Sequence, residues 1–138
     1  MRAIVVTALP VLLTIPLAAQ AQALKPGKYE VTFTSDLPAL AGKPVKEEEC
    51  LTQKDVDTGF TKLGVDPDNA SCKVSDLKRA PGSVSYRITC TAGDRKSTGE
   101  ASATHGTETF DLKIVNRTAQ QPAPFTHRKV GKRVGECK

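Results

Sequence analysis

Apolar and polar residues alternate along much of this chain, most cleanly in Lys28–Thr34, KYEVTFT. Tyr29, Val31 and Phe33 fall on one side there, and Lys28, Glu30, Thr32 and Thr34 on the other. A period of two is that of a strand with one buried face. Two prolines and a glycine make Ser35–Pro44 a loop, and Val45–Leu51 follows as a second strand. Its KEEEC run suits a sheet edge, where charge discourages pairing with another chain. Thr52 with Asp55 three residues on forms a short capping box, which predicts a helix from Gln53 to about Phe60. Gly64–Ser71, GVDPDNAS, is turn-forming throughout, and its carboxylates lack the spacing of a calcium loop.

Cys72–Cys90 then holds two alternating runs around Pro81-Gly82, with a cysteine at each outer end. Folding about Pro81 sets Cys72 opposite Cys90, Val74 opposite Ile88 and Asp76 opposite Tyr86. Val84, Tyr86, Ile88 and Cys90 share one face of the second run. Facing Cβ atoms of a non-hydrogen-bonded antiparallel pair lie within disulfide reach, so Cys72–Cys90 is the predicted bridge. Cys50–Cys137 follows by elimination. Lys96–Thr104 is the next strand, with a lean inner side of Ser97, Gly99, Ala101 and Ala103. After a turn at His105-Gly106 comes a strand over Thr107–Asn116 with Phe110, Leu112 and Ile114 inward. TAQQPAP (Thr118–Pro124) reads as a loop, and Phe125–Val134 as a last, basic strand. The fold class is therefore mainly β: an antiparallel twisted sheet or open barrel-like meander of about six to seven strands, one short helix and two disulfides.

The first residues follow another pattern. Arg2, an apolar run over Ala3–Leu17 and small-x-small sites at Ala19–Ala21 and Ala21–Ala23 predict a cleaved export leader over 1–23. One domain over 24–138 remains. Its aromatic supply is thin: Tyr29, Phe33, Phe60, Tyr86, Phe110, Phe125 and no Trp. Disulfides suit such a small core in an oxidising compartment, so a periplasmic or secreted location is expected. No cysteine pair has CxxC spacing and no His adjoins a Cys, so disulfides are favoured over zinc, and no metal or other cofactor is expected. The formal charge of +5 becomes +4 once Arg2 is removed with the leader. The excess gathers near the C-terminus, where Arg128, Lys129, Lys132 and Arg133 offer weak contact with an anionic surface. No aromatics interleave with these charges, which argues against nucleic acid.

The leader, LKPGKYEVT, the cysteine of ECLT, the polar helical segment, the cysteine-bounded hairpin and the terminal GKRVGEC occur in that order. In this the chain resembles the bacterial exported domain-of-unknown-function family 3617, over nearly all of its mature length. Tyr29 stands where that family usually has Trp, and Met1 is the sole methionine. The resemblance implies a periplasmic protein of undefined function and supplies no catalytic residues.

Chemistry is sparse. His105 and His127 with a lysine would suffice for acid–base catalysis only if they converged. No GxSxG elbow and no Gly-rich phosphate loop occurs. The expectation is a monomeric, non-enzymatic binding module for an unidentified small molecule, with the lean Ser97–Ala103 strand leaving room beside Tyr86 and Phe110. The competing packing reading is that those small residues only accommodate larger neighbours. A second function class is an interaction or inhibitor module for an envelope protein. A +4 chain would be repelled by a basic lysozyme, so an acidic partner suits it better.

Overall fold

The computed structural model describes residues 23–65 and 71–138. The expected leader lies outside the described residues apart from Ala23, as do residues 66–70 of the predicted turn. Seven strands form one open antiparallel sheet: β1 (Gly27–Ser35), β2 (Val45–Leu51), β3 (Cys72–Ala80), β4 (Ser83–Ala92), β5 (Arg95–His105), β6 (Thr109–Thr118) and β7 (Gln121–Gly135). The order across the sheet is β2-β1-β7-β6-β5-β4-β3. Strands β3 to β7 are the predicted meander, and the β1–β2 hairpin docks its β1 side onto β7. Edges β2 and β3 remain unjoined, so the sheet does not close.

The connection between those edges crosses one face of the sheet. Helix α1 (Gln53–Asp57) opens on the predicted capping box: Asp55 N donates to Thr52 Oγ1 at 3.2 Å, and Thr52 N donates to Asp55 Oδ2 at 2.7 Å. The helix stops short of the predicted Phe60. Gly59 (φ 74°) and Phe60 (φ 43°) turn left-handed, and a 3-10 turn follows at Thr61–Leu63. Phe60 bears a cost of about 1–2 kcal/mol for that conformation, and its ring is almost wholly buried in return. The core is this segment against the sheet: Phe60 and Leu63 on Tyr29, Val31, Leu51, Val84, Tyr86, Ile88, Ala101, Ala103, Phe110, Leu112 and Ile114. Phe60 lies 6.1 Å from Phe110, nearly parallel, and 5.7 Å from the His105 ring, edge-on.

Two predicted details change. Residues Gln121–Pro124 are strand rather than loop. Pairing of β1 with β7 ends at Ser35↔His127, so the stretch before His127 has one open edge, where residues lacking an N–H are tolerated. In the β3–β4 hairpin the turn has two residues, Pro81 and Gly82 (φ 68°), and Ala80 faces Ser83. That register alone would put Cys72 opposite Thr91. A bulge between Ser75 and Lys78, with Asp76 at φ 55°, absorbs the extra residue, so Cys72 faces Cys90 but Asp76 does not face Tyr86.

Disulfides join Cys72 to Cys90 and Cys50 to Cys137. They clamp edge β3 to β4 and edge β2 to the chain end beyond β7. Chain-entropy reasoning assigns them about 3 and about 4–5 kcal/mol, the larger to the longer loop.

Close packing under Phe110 gives the first test. A Cβ added at Gly131 would overlap Cε1 and Cζ of that buried ring, whereas one at Gly135 meets nothing within 4 Å. Gly131→Ala is expected to lose about 1–3 kcal/mol in denaturant unfolding, and Gly135→Ala close to none. A second test concerns Asp55. Burial raises its pKa, but the Thr52 hydrogen bonds and Lys62, 3.2 Å away, outweigh this and leave it lowered. A depressed folded pKa contributes stability above the unfolded value of about 3.9, and this is lost as pH falls through the folded value. Asp55→Ala should cost about 0.5–2 kcal/mol at pH 7, and the difference should shrink as pH falls through the folded value, read from unfolding curves across pH.

Candidate functional site

The core-side face is largely filled and keeps a small pocket of about 230 Å³ beside Phe60, Val84 and His105. Beneath the crossing segment, Gly99, Ala101 and Ala103 of β5 are buried, between β4 and β6. A Cβ at Gly64 would meet Tyr86 Oη, Ile114 and Ile88, and one at Gly59 would meet Leu77 and Val84. The room expected beside Tyr86 and Phe110 is thus taken by the chain's own residues 59–64, as the packing reading requires. Burial pushes the Tyr86 hydroxyl pKa up, and among the described residues that hydroxyl has no hydrogen-bond partner. Tyr29, whose Oη donates to Lys25 O at 2.6 Å, is pushed up to about 12 by the same cause.

The opposite face carries a groove. Successive pairings put Lys78, Ser85, Ser102, Lys113 and Arg128 in one row across β3, β4, β5, β6 and β7. The next row adds Ser83, Thr104 and Asp111. Together they line an open groove of about 660 Å³, and a neighbouring one of about 360 Å³ shares Lys78, Ser85, Ser102 and Lys113. Serine and threonine hydroxyls form the floor, with cations at the ends. The two-residue turn at Pro81-Gly82, which sets Ala80 opposite Ser83, places Lys78 opposite Ser85 and completes this row, while Leu77 sits near Gly59 on the core side. The bulge lies farther from the turn and returns Cys72 to its place opposite Cys90.

The acids around the row are already engaged. Arg128 grips Asp111 through Nε at 2.8 Å and through Nη2 at 2.5 Å, a fork that holds the carboxyl below its usual pKa. Arg87 lies 3.5 Å from Asp76 and 3.7 Å from Glu100. Among the described residues, neither Lys78 nor Lys113 has a carboxylate within ion-pair distance, so positive charge in the row is left uncompensated by protein.

The basic residues singled out on β7 do not form one surface. Arg128 and Lys132 lie on the groove side of the sheet. Lys129 turns to the core side, 2.8 Å from Glu47 and 3.7 Å from Glu49. Arg133 is on that side too, donating to Pro26 O at 2.9 Å and paired with Glu136. The two histidines are also kept apart. His105 is in register with Phe110 and His127 with Ile114, about 13 Å farther along the strands and two strands away. His105 packs on Phe60, while His127 sits between Phe33 and Phe125, each 5.2 Å away, and burial lowers its pKa. Sequence reasoning missed the groove. Ser85, Ser102 and Lys113 were legible as outward positions, but neither their shared row nor the place of Lys78 follows from alternation alone.

No curated protein and no solved structure matches this chain. A family model does, over residues 24–137, its description being a protein of unknown function, DUF3617. That span takes in all seven strands, α1 and the four cysteines of both disulfides. The chain belongs to the DUF3617 family.

Proposed function

We propose that this protein is a small exported binding module that holds the polar part of a ligand in the groove on the open face of its sheet and does no chemistry on it. The observation that carries this reading is the row Lys78–Ser85–Ser102–Lys113, which joins a hydroxyl floor to cations that have no ion pair among the described residues. The space on each face supports it, about 660 Å³ in the groove on the polar face against about 230 Å³ beside Phe60 on the core side. Two disulfides and the N-terminal apolar run support export to an oxidising compartment, the periplasm in a bacterium. An interaction module for an envelope protein is the second reading. Edge strand β3 favours it, since eight of its nine residues are exposed and its outer backbone edge has no neighbouring strand.

Native mass spectrometry of protein purified from the exported fraction tests the binding reading. The parent should carry a small-molecule adduct, and Ser102→Trp, which fills the groove from an exposed position, should lose it. Apo masses for both proteins, or an adduct kept by Ser102→Trp, would overturn the reading.

A further inference from the structure

We infer that the group bound in this groove is a phosphate, gripped between Lys78 and Lys113 above the Ser85 and Ser102 hydroxyls. The inference rests on the groove being the binding site and goes on to name what it recognises. Lys78 on β3 and Lys113 on β6 are three strands apart, with Ser85 and Ser102 between them at the same level. At about 4.8 Å per strand their backbones are roughly 14 Å apart, a gap that two flexible four-carbon stems can close from either side onto one small anion.

The donor set selects the shape of that anion. A planar carboxylate is best matched by the parallel N–H pair of a guanidinium. The guanidinium in the row and the one beside it are committed, Arg128 to Asp111 and Arg87 to Asp76 and Glu100. What remains is two point-like ammoniums arriving from opposite ends and two hydroxyls rising from the floor. Donors converging from several directions suit the terminal oxygens of a tetrahedral phosphate, whose double charge also meets two unpaired lysines. The engaged state of Asp111, Asp76 and Glu100 matters for the same reason. A bare carboxylate beside the row would repel the ligand, and each has an arginine over it.

The same chemistry is offered by free phosphate and by a phosphate ester on a sugar or lipid headgroup, and the test separates them. The mature protein, ¹⁵N-labelled, is titrated with inorganic phosphate, glycerol 3-phosphate, glycerol and acetate, following the amides of Ser85 and Ser102. Both phosphates should shift these amides and glycerol should not, with acetate markedly weaker. The double variant Lys78→Gln/Lys113→Gln should weaken phosphate binding by about tenfold or more, while Lys132→Gln, a lysine on the same face outside the row, should leave it unchanged. Tighter binding of glycerol 3-phosphate marks an ester as the ligand; equal binding marks phosphate itself. Glycerol or acetate shifting the same amides as strongly as phosphate, with the double variant unaffected, would overturn the phosphate assignment and leave the groove as the binding site. Phosphate shifts confined to residues outside the row would also overturn it, and the adduct experiment above would then show separately whether the groove binds anything.

Discussion

Phe60 packed on Phe110 is the contact that the rest of the structure depends on. A lone sheet buries nothing by itself, and this chain has too few large apolar residues to build a second sheet against the first. It covers one face with a single crossing segment. For that segment to lie close, the strand beneath must be small, and β5 supplies Gly99, Ala101 and Ala103. The lean strand and the left-handed Phe60 are therefore two halves of one solution. A bulky residue is turned inward by an unfavourable backbone conformation, and the flat floor below gives it room. Burial of the ring, on the order of 1.5–3 kcal/mol, offsets the backbone cost.

Strand alternation in the sequence was sufficient for the mainly β class, the inward faces and the outward parity of Ser85, Ser102 and Lys113, because each depends only on a residue's neighbours. The capping box at Thr52 was legible for the same reason. What could not be read depends on pairs distant in sequence. The helix was predicted to reach Phe60 because its sequence does not show that Phe110 will draw that ring down. Gln121–Pro124 looked like a loop because its prolines are harmful only where both strand edges are paired, and β1 ends before it.

The β3–β4 hairpin shows a subtler limit. Folding it about Pro81 gave the Cys72–Cys90 register by an arithmetic in which two departures cancel. The turn has one residue more than that centre allows, and the bulge at Asp76 takes up one residue. The cysteines are insensitive to this, being beyond the bulge. Residues between the bulge and the turn are not, and there the parity of β3 reverses. That reversal puts Lys78 rather than Leu77 over the groove, which is why the strand could be identified from sequence while the face bearing its lysine could not.

The serine floor of the groove also lies in a regularly paired part of the sheet. The β4–β5 ladder runs without a register shift from Ser83↔Thr104 to Ala92↔Arg95, and β5–β6 runs unbroken from Ser97↔Thr118 to His105↔Phe110. The irregular pairings fall outside these two, in β3–β4, β1–β7 and β6–β7. Fraying begins at sheet edges, and here each edge is held by a disulfide. The serine floor is thus held by continuous backbone hydrogen bonding. For the proposed ligand, such a floor with flexible lysine stems on either side would confine the ordering cost of binding to a few side-chain torsions. On that proposal, an otherwise chemically plain sheet presents a site without opening its core.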